Sequence, residues 1–581
     1  MKRRLFLDIE TPMITGGTLP DKIFLIVCKD TESKQLFTFT DDKFDEFKTL
    51  VSSYDEFVGH NIIGFDAPVI HKVLAIDLHQ EGKVIDTLIL SRLFNPVREG
   101  GHSLKSWGET LRFDKLDFKD FSAYSDEMLT YCIRDVEVTE KVLTYLIRRY
   151  PDFSKDAIRL EHDVSRIITQ QERNGFLFDL GNAHLLLGQL REKINEIEIK
   201  VKERFVPLPT FVRQVKPRYR KDGTLSTVGL KNSLGQGWEN TTGEFSLIEM
   251  KEFNLGSRQQ IGRYLQYFGW KPTKFTDKGH IIVDEKVLEG IKDIPEAELI
   301  RDFLLLQKRI AQVSSWVDAV SEDGRVHGRV ITNGAITGRM SHQSPNMAQV
   351  PAVYSPYGKE CRGLWVVPSG YKLVGVDASG LELRILSHYM NDKEYIDAII
   401  NGDIHSTNQN LAGLGTRDQA KTFIYAFIYG AGDEKLGTIV GGNKGDGKKI
   451  KDRFLRGTPA LANFRQRVGK ATGKGWLRAI DGRRLIIRNR HSAVNTLIQG
   501  GGAIVMKKAL VLLDDYIRQN KLEARPVANV HDEFQYEVRE EQADDFGRLA
   551  VNSIVNAGVE LGIRCPLNGE YKSGNNWQET H

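Results

Sequence analysis

Two acidic stretches, far apart in the chain, have residue types and spacing that could do chemistry. Leu373–Leu386 reads L-V-G-V-D-A-S-G-L-E-L-R-I-L, and Asp377 sits where a strand-like run gives way to a helix-like one. Arg525–Val538 reads R-P-V-A-N-V-H-D-E-F-Q-Y-E-V, a hairpin pattern with His531, Asp532 and Glu533 at its turn. Taken singly, Asp377 reads as a cap between strand and helix and Asp532 as a turn former. Brought together, two carboxylates suit a hard divalent cation, which takes oxygen ligands. Between them lies Thr416–Tyr429, T-R-D-Q-A-K-T-F-I-Y-A-F-I-Y. Arg417, Lys421, Tyr425 and Tyr429 recur at i, i+4 spacing and share one helix face, with Ala420, Phe423, Ile424, Phe427 and Ile428 on the rest. A cationic, aromatic stripe on an apolar back suits a polyphosphate, whose charge Arg417 and Lys421 would neutralise.

A second set of acids opens the chain. Arg4–Glu10 (R-L-F-L-D-I-E) reads as a buried strand, with Asp8 and Glu10 on one face. Paired carboxylates repel one another unless a cation lies between them. Asp66 closes G-H-N-I-I-G-F-D, Asp86 follows in Val84–Leu90, and a helical run over Glu127–Val138 places Tyr131 and Asp135 at i and i+4. Divalent ions held by such acids could activate a water and stabilise a leaving oxygen. His60 reads as a packing residue rather than a ligand.

At 581 residues the chain exceeds a single core, so several domains are expected. The apolar and charged fractions are those of a globular protein, and a net charge of +4 neither demands nor excludes nucleic acid. No apolar run is expected to span a bilayer, and Asp8 and Glu10 interrupt the N-terminal apolar patch too early for a signal peptide. A cytoplasmic location is the expectation. Cys28, Cys132, Cys361 and Cys565 form no C-x-x-C pair and read as free structural thiols. Long helices are expected over Ala157–Phe176, ending near Gly175, over Asn182–Phe205, and over Glu285–Val320 with a break near Pro295. Pro207–Lys231 carries Arg213, Lys216, Arg218, Arg220, Lys221 and Lys231 around a turn signal, R-K-D-G-T. It reads equally as a solvated basic loop or a clamp on phosphates. Gly442–Lys449, G-N-K-G-D-G-K-K, ends in Lys where a P-loop needs Ser or Thr, and reads as a flexible basic loop. Arg339, within T-G-R-M-S-H-Q-S-P-N-M-A-Q, suits phosphate or minor-groove contacts. His491, Asn495 and Gln499 are four apart, and amides on one helix face suit minor-groove acceptors.

The D-x-E of Asp8 and Glu10, the N-x-x-x-F-D ending in Asp66 and the Y-x-x-x-D of Tyr131 and Asp135 resemble the three motifs of DnaQ-like proofreading exonucleases. D-A-S-G-L-E-L-R, R-x-x-x-K-x-x-x-Y-x-x-x-Y-G and H-D-E resemble motifs A, B and C of family A DNA polymerases, the bacterial DNA polymerase I group. Within that family the pattern, including the terminal G-N-N-W-Q-E-T-H, is most similar to the replicative enzymes of T-seven-type bacteriophages. The resemblance implies a multidomain α/β chain: an RNase H-like exonuclease domain (1–150), a connector helix (151–180) and a right-hand polymerase. The polymerase comprises a thumb (181–320, with the basic insertion near 207–231), palm (321–400 and 486–581) and fingers (401–485).

The same resemblance implies two Mg²⁺ held by Asp377, the backbone of Ala378 and Asp532, and two more held by Asp8, Glu10, Asp66 and Asp135, with Mn²⁺ as the alternative ion. Tyr131 would orient the attacking water. Arg417, Lys421 and His405 would hold a dNTP, Tyr425 would meet its sugar and base, and Glu382 would crowd a ribose 2′-hydroxyl. Arg339, Tyr429, His491, Asn495, Gln499 and His531 would touch primer–template DNA. Further implied partners are a helicase–primase, a single-strand-binding protein or a processivity factor. Two other readings are an exonuclease whose polymerase half only binds DNA, and a bacterial-type repair polymerase.

Overall fold

A computed structural model describes residues 2–13, 19–226 and 243–581. Lys231, the end of the basic segment, lies outside the described residues. Contacts divide the chain into Met1–Leu180 with Asp318–His581, and Gly181–Val317.

The larger unit holds two sheets. In the first, β1 (Arg4–Glu10) is central, antiparallel to β2 (Leu25–Asp30) and parallel to β4 (Glu56–Gly59), with β3 (Leu36–Phe39) and β5 (Lys83–Asp86) at the edges. The period of two sorts β1 between two cores. Leu5, Leu7 and Ile9 enter one apolar cluster, while Phe6 enters the other with Met128, Cys132 and Val136. Asp8 and Glu10 share the face of Phe6 and therefore meet the helix carrying those three residues. That helix is α2 (Asp126–Arg149), capped by the Ser125 hydroxyl; α1 (Asp66–Leu74) begins at an acid of the cluster. α3 (Lys155–Asn174) follows and stops at Gly175, whose φ of +59° no branched residue adopts cheaply.

The second sheet runs β7 (Ala524–Val530), β8 (Glu533–Arg539), β6 (Tyr371–Ala378), β9 (Gly569–Gly574), all antiparallel. β6 is central, and its Leu373, Val374 and Val376 are fully buried. Behind the sheet lie α8 (Ala493–Gln519) and α9 (Ala543–Glu560). Residues Arg490–Gln519 are long and apolar enough to cross a bilayer, against the expectation that no such run exists. They are mostly buried in the protein and contribute Leu497, Ile504, Val505 and Leu510 to its largest core.

Two local expectations need correction. Gly442–Lys449 is not a flexible loop: six of its residues open helix α7 (Lys444–Gly457). The Asn443 side chain accepts from the backbone of Gly445 and Asp446, and Asp446 returns a bond to the Asn443 N–H, a capping box that the basic composition obscures. His491 does not share a helix face with Asn495 and Gln499. It lies exposed in a single 3₁₀ turn, Arg490–Ser492, before α8 begins.

In the smaller unit, the long helices Leu180–Arg204 and Glu296–Val317 enclose a core that includes Val201, Phe205, Tyr264 and Ile300. The Phe205 and Tyr264 rings stack 5.1 Å apart. A hairpin pairs Leu208–Val215 with Phe245–Lys251, leaving Phe211, Ile248 and Met250 exposed. The R-K-D-G-T turn closes through Gly223 N–H to the Arg220 carbonyl, 3.0 Å.

Candidate active sites

The D-A-S-G stretch places its acid by strand, then turn, then helix. β6 ends at Ala378, and Gly380 takes φ +59° to start α4 (Leu381–Met390) with no side-chain cap. Asp377 is therefore the penultimate residue of a strand, not a helix cap. In register, Asp377 faces Glu533 on β8 and Glu570 on β9, so three acids lie abreast on neighbouring strands. Ala378 N–H donates to the Asp532 carbonyl at 3.1 Å, which ties the two motifs together. Asp377 reaches solvent, yet protein crowds it from the other sides. Burial, then Asp532, Glu533 and Glu570, push its carboxyl up to about 7. Burial also raises Asp532. Glu533 goes the other way: burial favours its neutral form, but hydrogen bonds from His581 and Gln535 and the charge of Arg362 hold it below the ordinary value. Its Oε1 also accepts from Trp577 Nε1 at 2.6 Å. Glu533 is thus engaged by protein groups, while Asp377 and Asp532 form the pair whose mutual repulsion a divalent ion would relieve.

Above this pair, α6 (Arg417–Ile428) is held by a capping box between Thr416 and Gln419. Arg417 and Lys421 are exposed, and Ala420, Phe423, Ile424, Phe427 and Ile428 are buried. Arg417 forms a two-pronged pair with Asp403, Nε to Oδ2 2.6 Å and NH2 to Oδ1 3.2 Å. Asp403 also caps α5 (Ile404–Ala412), accepting from His405 N–H at 3.1 Å. The His405 ring is 6.3 Å from that of Tyr425. Burial raises the Tyr425 phenol, and Glu382, Asp532 and Asp377 raise it further, so α6 faces the acids. Glu382 accepts from the Tyr429 hydroxyl at 2.7 Å and from Arg339 at 3.0 Å. Three residues expected at sugar or DNA contacts thus form one hydrogen-bonded group. Asn495 and Gln499 are half-buried on α8, with Asn495 Oδ1 lacking a partner. His531 takes φ +58° at the hairpin turn, and burial lowers its ring's basicity.

The N-terminal acids converge from three elements. Single ligand atoms of Asp8, Glu10 and Cys132 lie within 4.8 Å of one another. Asp66 Oδ1 accepts from Ile9 N–H at 3.2 Å. Asp135 is buried, with Oδ1 unpartnered. Burial and then neighbouring acids raise Asp8 well above the carboxylate range and Glu10 to about 8. Burial, opposed by backbone hydrogen bonds, brings Asp66 to about 7. A buried group of acids that raise one another, with an oxygen left unpaired, fits a divalent cation. Burial also pushes the Cys132 thiol up, so it stays protonated and donates toward Asp8 Oδ2 at 3.6 Å rather than acting as a thiolate ligand. Tyr131 lies one helical turn before Asp135, against Phe118 and Phe121. His60 is bonded to Thr87 Oγ1 at 2.8 Å.

The model of DNA polymerase family A matches residues 227–579. The chain is 34% identical to the DNA-directed DNA polymerase of Enterobacteria phage T3, and equally to that of Escherichia phage T7; each match covers 90% of this chain and 92% of the relative. The chain belongs to DNA polymerase family A. The DNA polymerase I of Pseudomonas aeruginosa is 29% identical over 57% of this chain and 39% of its own. In fold, this family A chain is similar to the polymerase domain of Pol1 from M. smegmatis, solved with DNA primer–template and dNTP. The TM-score is 0.78 at 18% identity, covering 100% of this chain and 96% of that one.

Three residues of this family A polymerase that bear on its sites escape sequence reasoning. Glu570 is in no motif and is found only through its register with Asp377. Cys132, read as structural, lies against Asp8. Lys115 makes an ion pair with Asp135 and lies over the Tyr131 ring at 4.5 Å. Only the Tyr131–Asp135 spacing marks the helix that gathers the last two. Asp86, which follows the acids in sequence, caps the helix Thr87–Phe94 and accepts from Asn61 and Ile63, a structural task.

Proposed function

We propose that this family A DNA polymerase extends a primer 3′ end with dNTPs and removes misinserted nucleotides at a separate 3′→5′ exonuclease site. The observation that carries the synthetic reading is the juxtaposition of Asp377 and Asp532 below the face of α6 that bears Arg417, Lys421 and Tyr425. Asp377, Asp532 and the Ala378 backbone would hold two divalent ions, Mg²⁺ or Mn²⁺, which when bound polarise the primer 3′-oxygen and neutralise charge on the transferred phosphate. Arg417 and Lys421, with His405, bind and orient the triphosphate. Glu382, fixed by Tyr429 and Arg339, presents a rigid carboxylate that leaves no room for a 2′-hydroxyl. Arg339, Tyr429, His531, Asn495 and Gln499 track the primer–template, with exposed His491 at the edge of that surface. The smaller unit and its basic hairpin serve as the thumb, neutralising phosphates without reading sequence.

In the exonuclease site Asp8, Glu10, Asp66 and Asp135 would hold divalent ions, which supply an activated water and a clamp on the scissile phosphate. Tyr131 orients that water. The kinship with phage enzymes supports a replicative role in a bacterial host's cytoplasm, with a helicase–primase, single-strand-binding protein or processivity factor as partners.

Primer extension and single-strand degradation, each measured for Asp377→Asn and Asp8→Ala, test both halves. Loss of extension alone in the first and of degradation alone in the second is expected. Undiminished extension by Asp377→Asn overturns the assignment, and leaves an exonuclease whose larger half only binds DNA.

A further inference from the structure

In the N-terminal acid cluster, the Lys115 ammonium pairs with Asp135 and acts on Asp8 and Glu10. Lys115 pairs with Oδ2 of Asp135, and its side chain is 22% exposed against 5% for Asp135. The other oxygen of Asp135 is buried and unpartnered. Lys115 is not carried by a helix or strand; it belongs to the irregular segment after the helix Leu104–Leu111. That segment is nevertheless fixed from several sides. Arg112 takes φ +53° to turn the chain back. Gly108 lets it pass, since a Cβ there would meet Lys115 N at 2.9 Å. Arg134 of α2 donates to the Asp114 carbonyl at 3.0 Å and covers the Phe113 ring at 4.3 Å. Phe118 and Phe121 pack on Tyr131 at 5.4 and 6.1 Å. The segment is built onto the face of α2 that carries Tyr131 and Asp135.

We propose that Lys115 is a positioning residue of the exonuclease site: its ammonium takes one Asp135 oxygen, leaving the other as the free donor for a divalent ion, and it fixes the Tyr131 ring beside it. The inference rests on the exonuclease reading above. A buried carboxylate with two equivalent oxygens has no preferred ligand atom. An ammonium on one oxygen leaves the other as the ligand atom, as outer partners of metal ligands do.

Full-length protein carrying Asp377→Asn and Asp532→Asn, which silences the polymerase acids, serves for Mn²⁺ binding by paramagnetic resonance. Lys115→Met should bind Mn²⁺ at least threefold more weakly than the Lys115 parent. On a single-stranded oligonucleotide its exonuclease kcat should fall at least tenfold, with KM within twofold. Lys115→Arg should recover most of both. Unchanged Mn²⁺ binding and cutting in Lys115→Met, or no recovery in Lys115→Arg, overturns the role. Lys115→Gln carries the same test should the Met variant not fold. If the parent cuts no faster than Asp8→Ala, the exonuclease reading itself fails. An active parent with an unaffected Lys115→Met removes the Lys115 role alone.

Discussion

In the N-terminal cluster the acids converge on a buried interior from β1, the start of α1 and the middle of α2, whereas Asp377, Glu533 and Glu570 lie abreast on three strands with Asp377 open to solvent. The first arrangement carries its own cation, Lys115, against Asp135. In the second, Arg339 acts on Asp532 and Arg362 on Glu533, while Arg417 and Lys421 stand on a separate helix, with Arg417 engaged by Asp403. Burial and repulsion raise acids in both places, but Lys115 pairs directly with an acid of the first cluster, whereas Arg339 acts on Asp532 while paired to Glu382. On the proposed function, a site that pairs one of its own acids with a cation suits one repeated hydrolysis. On the proposed function, cations on a separate helix suit synthesis, where that helix can also test the incoming nucleotide.

Removing one centre at a time should separate the two activities. Asp377→Asn should lower primer extension by roughly 10³-fold, the scale of losing a preorganised electrostatic partner, while single-strand degradation stays within twofold. Glu10→Ala should do the reverse, lowering degradation by about 10²-fold or more in a gel assay and sparing extension. Equal loss of both activities in either variant would mean that the centres are not independent.

A smaller effect probes the join between them. Glu161 of α3 is fully buried and accepts from Arg483 and Lys507, each at 2.5 Å. It thereby links the helix that leaves the first sheet to the core behind the second. Glu161→Gln should cost about 3 kcal/mol, because buried Lys507 loses its countercharge and Arg483 keeps only Asp481. Chemical unfolding measures it; a loss under 1 kcal/mol would show the link to be dispensable.

The smallest effect sharpens the contrast in burial. Glu10 and Asp66 titrate at about 8 and 7 in the metal-free fold, above their ordinary values of 4.5 and 3.8. Groups raised by folding favour the folded state fully below the ordinary values, and that contribution is lost as pH rises through the raised ones. Metal-free protein should therefore lose thermal stability between about pH 4 and pH 8. Mg²⁺ should raise Tm by a few degrees more at pH 8 than at pH 5, and Glu10→Gln should flatten that difference. Thermal unfolding with EDTA and with Mg²⁺ reads both.

Much of the synthetic centre was legible because its residues sit in local patterns. Strand, glycine turn and helix around Asp377, the i, i+4 stripe of α6 and the hairpin around Asp532 each need only a short window, and the structure places them as those windows suggest. The burial of Ala420, Phe423, Ile424, Phe427 and Ile428 follows from the same period. The errors arose where composition stood in for geometry. Lysine and glycine after Asn443 looked like a loop, although a capping box begins a helix there. His491 fits the spacing of Asn495 and Gln499, but the helix starts after it.

By itself the sequence determined the local elements, the acids and cations they carry, and the membership of a polymerase family, because these depend on residue type and short-range periodicity. The tertiary structure alone decided which charges meet. Glu570 reaches Asp377 through strand register, Glu533 is engaged by Trp577 and His581, and Lys115 reaches Asp135 through a folded-back segment. These contacts join positions separated by many residues and several turns of chain. Their energies depend on burial and distance, which only the folded chain defines.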